Sequence, residues 1–273
     1  MVVRPGAVTE CPLEWVETPP GVPLPANQVH LWFVDLQSIS RLSRCERPAG
    51  AGQGSPRDTR SREKRRLYLR GKMALGTLLA HYSGLKHSEL EFGYGTRGKP
   101  GLRNPGLCGA LRFNYTLSRG YALYAFAWEV ELGVDIEIYP RKINADLLVR
   151  RKLSPVEQSS WEAVPAGQKN NAMLMCWTRK EAYGKALGVG IRYEMRKVSL
   201  FRDLHGYRWE TGVGGLFGEE KCEIDSLHGV QIALPVPGAA SLMYAGGPCM
   251  PAVSLPLIPM VLDHRFIEGV TAK

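Results

Sequence analysis

Four charged side chains in two short stretches have the types and spacing of a site for phosphate chemistry. Glu181 and Lys185 stand four residues apart within Trp177–Ala186, so on a helix they share one face. Asp135 and Glu137 stand two residues apart, so on a strand they point to the same side. The three carboxylates and the ammonium can therefore converge. Such a cluster suits Mg²⁺, which binds a few carboxylate oxygens and fills its other positions with water and phosphate oxygens.

The sequence around these residues predicts the strand and the helix that would position them. Leu132 to Ile138 has the pattern of a strand, and Pro140 ends it. Residues 172–187 have the pattern of a helix, and Gly188 ends it. Taken alone, the acid pair also fits a half-exposed strand with its carboxylates in water, so its interpretation as a site depends on the helix downstream.

Another helix is predicted to begin just before this one. Ser154 is a suitable N-cap, Pro155 stands at the first helical position, and Glu157 is placed to complete a capping box. Glu157 is therefore interpreted as a capping residue rather than a catalytic residue.

The N-terminal half is predicted to contain one long helix and three strands. The predicted elements are a strand at Val29–Leu36, a helix from about Arg62 to Tyr82, and strands at Leu111–Leu117 and Tyr121–Trp128. Basic residues crowd the first half of the helix, among them Arg66 and Lys72. They fit a solvated helix end as well as a phosphate-binding surface, and the sequence leaves that choice open.

The rest of the chain carries weaker signals. Four short strands are predicted to form a closing antiparallel sheet, at Lys197–Arg202, Tyr207–Glu210, Gln231–Pro235 and Ser241–Ala245. Residues 1–27 are rich in proline and are expected to form an irregular surface arm, and residues 247–261 have no predicted element.

The composition, 44% hydrophobic and 22% charged over 273 residues, is typical of a soluble globular protein. The net charge of +9 favours an anionic partner, which could be nucleic acid, a phosphorylated small molecule or an acidic protein, but it also fits a generally basic surface. The six cysteines form no C-x-x-C pair, so neither a zinc knuckle nor a disulfide framework is indicated, and a cytoplasmic location is expected. No apolar run has the length of a signal-peptide core or a membrane span.

Four short motifs give the chain a resemblance to a known family. They are Gly98-Lys99-Pro100, Phe113-Asn114, Gly133-Val-Asp-Ile-Glu137 and Trp177-Thr-Arg-Lys-Glu-Ala-Tyr-Gly-Lys185. Each motif is weak alone. In this order and at these separations, they resemble the 4'-phosphopantetheinyl transferases of the larger, surfactin-synthetase-activating type. The resemblance extends from the helix near Arg65 to about Gly247.

The resemblance implies an α+β fold in which two similar halves pack about a pseudo-twofold axis, with the active site in the cleft between them. The implied divisions are an arm over 1–27, transferase halves over 28–132 and 133–248, and an extension of unknown role over 249–273. The implied reaction transfers the 4'-phosphopantetheine arm of coenzyme A to a serine hydroxyl of an acyl or peptidyl carrier protein. Adenosine 3',5'-bisphosphate is released, and the enzyme is expected to be a monomer.

The resemblance also implies roles for individual residues. Asp135, Glu137 and Glu181 would bind Mg²⁺, or Mn²⁺, since oxygen ligands suit both ions. Glu181 would also accept the serine proton, and Lys185 would stabilise the leaving phosphate. The residues implied for coenzyme A binding are Lys99, Thr116, Lys72 and Arg66. A basic enzyme face would attract carrier proteins, which are typically acidic around the modified serine. No nucleic acid or membrane partner is expected.

The chain departs from the family motif at Leu117, where the family carries a histidine that contacts phosphate. Leucine can neither donate a hydrogen bond nor carry charge, so coenzyme A binding should weaken by roughly 1.5–3 kcal/mol. A catalytically weak or inactive relative, which binds coenzyme A or a carrier protein, is therefore the main alternative.

Two further alternatives come from other parts of the chain. Asp263-His-Arg-Phe-Ile-Glu-Gly269 is similar to the D-H-R-x-x-D-G signature of dihydrolipoamide acyltransferases, in which the histidine is a general base. His264 is thus a remote candidate for coenzyme A-dependent acyl transfer, although the large domain that should precede this signature is absent. The basic run at 56–72 suggests nucleic-acid binding, which offers no account of the acid pair.

Overall fold

The computed structural model describes residues 15–18, 23–26, 28–39, 59–96, 98–189, 195–203, 208–209, 227–245 and 257–262. The helices are α1 (Thr59–Ser83), α2 (Ala145–Lys152), α3 (Pro155–Trp161) and α4 (Lys169–Ala186). The strands are β1 (Val16–Thr18), β2 (Val29–Asp35), β3 (Phe92–Tyr94), β4 (Pro100–Leu102), β5 (Leu111–Ser118), β6 (Tyr121–Trp128), β7 (Leu132–Ile138), β8 (Phe201–Asp203), β9 (Arg208–Trp209), β10 (Leu227–Ile232), β11 (Gly238–Ala245) and β12 (Leu257–Leu262).

The N-terminal half is a sheet with α1 packed on one face. The sheet has the order β1-β12-β2-β6-β5, in which β2, β6 and β5 pair antiparallel with one another, and β12 and β1 are added in parallel at the edge of β2. Leu75, Leu78 and Leu79 of α1 join Trp32 and Phe126 of the sheet in one buried cluster. The helix covers this face because its apolar residues recur at helical spacing and need a partner surface.

The C-terminal half repeats this plan. Its sheet has the order β10-β11-β7, all antiparallel, and α4 packs on one face with α2 beside it. Met173, Cys176 and Tyr183 of α4 lie in the same buried cluster as Met243 of β11 and Val149 of α2. Helix and sheet thus bury each other's apolar surface in both halves.

A third buried cluster lies between the two sheets. Leu31 and Phe33 of β2 and Leu123 of β6 lie in one cluster with Val134 and Ile136 of β7. The described core is therefore layered as helix, sheet, sheet and helix, which confirms the predicted α+β class. Because all seven residues of β7 are buried, the half-exposed strand considered for its acid pair is wrong.

The order of the main elements is similar around the two sheets when the shorter elements between them are left aside. In the first, β2 is followed by α1 and then by the hairpin β5–β6. In the second, β7 is followed by α4 and then by the hairpin β10–β11. In both sheets the second strand of the hairpin pairs with the strand that precedes the helix, which gives the orders β2-β6-β5 and β7-β11-β10.

Most of the predicted elements are confirmed, and the differences have physical reasons. Within the predicted irregular arm Val16–Thr18 forms β1, and within the unplaced segment Leu257–Leu262 forms β12. Both depend on pairing with strands distant in sequence, which no local pattern reveals. α2 was not predicted, although Asn144 caps it by accepting a hydrogen bond from the amide of Leu147 at 3.0 Å. Asp263–Gly269, with His264, lies outside the described residues.

The segment that follows α4 differs from the strand predicted at Lys197–Arg202. Residues Met195–Lys197 form a 3-10 turn rather than the start of the predicted strand, and the strand begins at Phe201.

Among the helices that the structure describes, none combines the length and the apolar character needed to cross a bilayer.

A buried histidine predicts how stability depends on pH. His30 is fully buried, its Nδ1 lies 2.7 Å from the hydroxyl of Tyr82, and burial lowers its pKa from 6.5 to about 4. The unfolded chain therefore takes up a proton before the folded protein does. We expect up to about 3 kcal/mol of unfolding free energy to be present above pH 6.5 and lost as the pH falls towards 4.

The test compares urea unfolding at pH values above and below 6.5. His30→Gln should remove much of this pH dependence, whereas His87→Gln, at a partly exposed position just after α1, should leave it unchanged. Equal pH dependence in the wild type and His30→Gln would contradict the assignment.

Candidate active site

β5 and β7 lie side by side and are joined through side chains. Three polar residues at alternate positions of β5 share one face of the strand and reach across to β7. The contacts are Asn114 Oδ1 with the amide of Val134 at 2.9 Å, Thr116 Oγ1 with Asp135 Oδ1 at 3.0 Å, and Ser118 Oγ with Glu137 Oε2 at 3.1 Å. This row of polar contacts connects the two halves and fixes the acid pair from one side.

α4 fixes Asp135 from the other side, and Arg141 does the same for Glu137. The ammonium of Lys185 donates to Asp135 Oδ1 at 2.6 Å and to the carbonyl oxygen of Val134 at 3.0 Å. Glu137 forms an ion pair with Arg141, four residues further along the chain. The predicted convergence of the strand and the helix is therefore present for Asp135 and Lys185.

Glu181 lies near enough to these groups for their charges to affect it. Burial is the largest cause of its raised pKa, the charge of Asp135 is the next, and Glu137 adds to it, while Lys185 and Lys152 act in the opposite direction. Burial also raises the pKa of Asp135, although Lys185 and Thr116 oppose that rise. The site thus concentrates negative charge in a partly dry environment, where charges interact strongly.

Gly133 lets α4 approach β7 closely enough for this arrangement. A Cβ atom at Gly133 would lie far inside van der Waals contact with the carbonyl oxygen of Ala182 and the amide nitrogen of Ala186, which both belong to the main chain of α4. Only glycine avoids that overlap. The helix therefore rests directly on the strand that carries Asp135.

The opposite side of α4 is anchored by a buried ion pair. Lys180 Nζ lies 2.7 Å from Glu157 Oε2 and donates to the carbonyl oxygens of Met195 and Val198 at 2.7 and 2.6 Å. Both side chains of the pair are fully buried. Because Lys180 directly precedes Glu181, this anchor fixes the rotation of the helix at the site.

Glu157 also forms the capping box predicted from sequence. Its carboxylate accepts from the amide of Ser154 at 2.8 Å, and its own amide donates to Ser154 Oγ at 3.3 Å. The other carboxylate oxygen accepts from the amide of Leu200 at 2.8 Å. The interpretation of Glu157 as a capping residue is confirmed, and the structure adds its role as the partner of Lys180.

The structure does not bring Lys99 to the acid pair. Its ammonium donates to Glu131 Oε2 at 2.7 Å and to the carbonyl oxygens of Leu132 and Ala186 at 2.9 and 3.1 Å. Lys99 therefore connects the loop before β4 to the start of β7 and the end of α4. Coenzyme A binding by Lys99 stays a prediction, and it would require an exchange of one of these protein contacts.

Lys72 and Arg66 also lie apart from the acid pair. Lys72 lies among tyrosine rings where α1 faces β5, with Nζ 4.8 Å from the ring centre of Tyr115. Arg66 forms a half-exposed ion pair with Glu63 on the surface of α1 at 3.3 Å. A phosphate-binding role for either residue stays a prediction.

Sequence reasoning missed several residues of the site. Lys152 lies over the ring of Trp177 at 4.8 Å and influences the charge of Glu181 from the end of α2. Asn114 and Ser118 flank Thr116 at alternate positions of a predicted strand, and that alternation is the signal that would have found them. Arg141 lies beyond the predicted end of the strand, where no periodic signal extends.

The residues present fit a divalent cation in chemistry, although the carboxylates of Asp135 and Glu137 are held by protein partners. In the part of the chain that the structure describes, no three acid, histidine or cysteine side chains are grouped as a metal site. The charges of Asp135 and Glu137 nevertheless both raise the pKa of Glu181, and a cation bound beside these carboxylates would relieve that repulsion. Metal binding by these three residues stays a prediction.

Comparison of the sequence with those of known proteins indicates one family. The sequence profile of the 4'-phosphopantetheinyl transferase superfamily matches residues 131–230, which include β7, α4 and the segment between them. The 4'-phosphopantetheinyl transferase HetI of Nostoc sp. is 32% identical over 183 residues, 65% of this chain and 76% of that protein. The match to HetI thus covers most of both chains.

Two more distant relatives carry related names. The L-aminoadipate-semialdehyde dehydrogenase-phosphopantetheinyl transferase of Mus musculus is 27% identical over 62% of this chain and 61% of its own length. The 4'-phosphopantetheinyl transferase AcpT of Escherichia coli is 28% identical over 58% of this chain and 74% of its own length.

The fold, the acid and ammonium cluster and these similarities define an enzyme of the transferase class. The chain belongs to the 4'-phosphopantetheinyl transferase superfamily.

Proposed function

We propose that this protein transfers the 4'-phosphopantetheine arm of coenzyme A to a serine hydroxyl of an acyl or peptidyl carrier protein. The observation that carries the proposal is the position of Asp135, where Thr116 of one half and Lys185 of the other bind the same carboxylate oxygen. Polar groups from both halves thus meet at one point between β5, β7 and α4. Membership of the superfamily supports the same reaction.

In the proposed step, the serine oxygen attacks the phosphorus of the diphosphate that bears the pantetheine arm. A new P–O bond forms to serine, the bond to the bridging oxygen breaks, and adenosine 3',5'-bisphosphate leaves with that oxygen. Glu181 accepts the serine proton, for which its raised pKa makes it a better base than an ordinary glutamate. Lys185 can turn from Asp135 to donate to the leaving phosphate.

Asp135, Glu137 and Glu181 are the residues that would hold Mg²⁺ or Mn²⁺. When bound, the ion would neutralise the charge of the diphosphate. Thr116 would keep Asp135 oriented while Lys185 moves, because its hydroxyl donates to the same carboxylate oxygen. Ser118 and Arg141 would hold Glu137 in the same way.

The charge of the chain supports an acidic protein partner. The net charge is +9, and the last turn of α2 carries Arg150, Arg151 and Lys152. Lys152 links this basic turn to the site, because its charge influences Glu181. An acidic surface around the acceptor serine would therefore be attracted towards the catalytic groups, which mainly raises the rate of association.

We also propose that the two halves are related by a pseudo-twofold axis and work together as a monomer. The common order of strand, helix and hairpin in both halves supports this relation. The site would then lie where the equivalent halves meet, with β5 supplied by one and β7 and α4 by the other.

Intact-mass spectrometry tests the proposal directly. Several apo carrier proteins are incubated with the full chain, coenzyme A and Mg²⁺, beside carriers whose acceptor serine is replaced by alanine. We expect one phosphopantetheine increment on the serine-bearing carriers alone. Chelation with EDTA should abolish the increment, and excess Mg²⁺ or Mn²⁺ should restore it, because uncompensated diphosphate charge opposes attack.

The absence of an increment on every carrier, at high coenzyme A concentration, would contradict the proposal. The chain would then be an inactive relative that binds coenzyme A or a carrier protein. An increment that persists in EDTA would contradict the proposed metal dependence but would still support the proposed transfer reaction.

A further inference from the structure

A row of polar side chains crosses the C-terminal sheet beneath α4. Asp135 of β7 pairs directly with Ser241 of β11, and Ser241 pairs directly with Gln231 of β10. Directly opposed residues of antiparallel strands point to the same side, so these three side chains form a cross-strand row on one face. Ile136 and Leu242, which are neighbours of this row along their strands, lie in the cluster between the two sheets, so the row faces α4.

The two members of the row beyond Asp135 each bind a residue of α4. Ser241 Oγ lies 3.0 Å from Thr178 Oγ1, and Gln231 Oε1 accepts from Nε of Arg179 at 3.0 Å. Thr178 donates its own proton to the carbonyl oxygen of Met175, so Ser241 is the donor between the two hydroxyls. Ser241, Thr178 and Arg179 are fully buried. Because a buried polar group that loses its partner is costly, these contacts resist displacement of the helix.

The contacts act on α4 next to Glu181. Thr178 precedes Glu181 by three residues and Lys185 follows it by four, so all three lie along one face of the helix. The partner of Thr178 and the partner of Lys185 are cross-strand neighbours on the sheet. These two attachments fix the axial position of the helix over the sheet, and Glu181 lies between them.

Arg179 and Lys180 fix the rotation of the same turn. Successive residues of an α-helix point about 100° apart, so residues 178 to 181 leave the helix in four different directions. Thr178 and Arg179 are bound by the sheet, and Lys180 by its buried pair with Glu157. Turning the helix to move Glu181 would therefore break a buried polar contact in each of the other three directions.

We propose that Ser241 and Gln231 are positioning residues, which fix the rotation and axial position of α4 and so hold the carboxylate of Glu181 in place for the acceptor serine. The assignment rests on the proposed function, in which Glu181 accepts the serine proton. It deepens that function, because the base is supported from two strands that carry no group of the reaction itself. A misplacement of about 1 Å can cost about 100-fold in rate, so small movements of α4 are sufficient.

Substitutions at the two buried hydroxyls separate positioning from stability. Thr178→Val leaves the hydroxyl of Ser241 buried without its acceptor, so it should lower the urea midpoint and reduce kcat for carrier modification by about tenfold or more. Thr178→Val combined with Ser241→Ala removes both hydroxyls and should recover most of the midpoint, while kcat stays low because the contact is still missing. The KM for coenzyme A should change by less than about twofold in both variants.

Conservative changes and a distant threonine are the controls. Thr178→Ser keeps the hydroxyl and should retain kcat within about threefold of the wild type. Gln231→Glu keeps an acceptor for Arg179, whereas Gln231→Met removes it, so only the second should lower kcat. Both changes give up the donation to the carbonyl oxygen of Ala240, so they differ in the acceptor. Thr77→Val, at a buried threonine of α1 in the other half, should leave kcat unchanged.

The contact between Asp135 and Lys185 provides a measurement without catalysis. Its coupling is obtained from urea unfolding of Asp135→Asn, Lys185→Met and the two changes combined. The same cycle is then measured in the background of Thr178→Val with Ser241→Ala. We expect the coupling, expressed as a ratio of unfolding constants, to fall by at least about threefold in that background, because α4 no longer holds its ammonium over the carboxylate.

Recovery of kcat together with the urea midpoint in the variant that lacks both hydroxyls would show a merely structural role and overturn the inference. An unchanged coupling between Asp135 and Lys185 would also overturn it. The coupling requires no carrier protein, so it separates this inference from the proposed function. Absence of carrier modification by the wild type, with a reduced coupling, would reject the transfer and keep the positioning role. Normal modification with an unchanged coupling would do the reverse.

Discussion

Replacing Glu181 with glutamine is expected to slow phosphopantetheine transfer by at least about 100-fold. Glutamine keeps the size of the side chain but cannot accept the serine proton, and it is a poorer ligand for a hard cation. Burial and the charge of Asp135 already disfavour the ionised form of Glu181. Removal of its charge should therefore leave the free energy of unfolding unchanged or slightly increased, while the rate falls.

The measurement is the rate of carrier modification with saturating Mg²⁺ and coenzyme A, beside urea unfolding of the same samples. Glu162→Gln is the matched control, because the side chain of Glu162 is 85% exposed at the end of α3 and lies 3.9 Å from Lys169 in a weak surface pair. Normal turnover in Glu181→Gln would exclude the carboxylate as the base. A parallel loss of stability and activity would instead indicate a structural role.

Replacing Lys180 with methionine is expected to lower the free energy of unfolding by about 3–5 kcal/mol. Glu157 would then be left fully buried without its counter-charge, and the carbonyl oxygens of Met195 and Val198 would lose their donor. Methionine fills similar space, so the loss would come from the unpaired groups and not from a cavity.

Urea midpoints measure this effect, and a double-mutant cycle assigns it to the pair. Glu157→Gln combined with Lys180→Met should be less destabilising than the sum of the two single changes, because the double variant leaves no buried charge unpaired. Lys169→Met, at a partly exposed lysine, should change stability by no more than about 0.5 kcal/mol. A loss below about 1 kcal/mol in Lys180→Met would show that the pair contributes little.

Local patterns predicted the parts of the site that depend on spacing. The i, i+2 acids of β7 and the i, i+4 pair of α4 indicated which side chains would share a face, and the structure places Lys185 on Asp135 accordingly. The capping box at Ser154 was also predicted, since all its atoms lie within one turn of helix. Such features follow from geometry within a single element.

Features that depend on contacts between distant segments could not be predicted in this way. Nothing in the sequence indicated that Lys99, a predicted ligand of coenzyme A, also contacts Glu131 and the end of α4. The role of Lys180 was not predicted, because only folding brings its ammonium to Glu157 and to the carbonyl oxygens of Met195 and Val198. The pairing of β12 with β2 could not be predicted for the same reason, since a partner strand that is distant in sequence leaves no periodic pattern.

The direct contact of Gly133 with α4 reduces the conformational entropy that must be lost to keep the reacting groups in position. The separation of strand and helix is set by main-chain atoms, so no side chain must be confined to one rotamer to maintain it. A spacing fixed in this way is already restricted before any ligand arrives. Little conformational entropy then remains to be lost when the reacting groups are aligned, and their geometry should vary little with temperature.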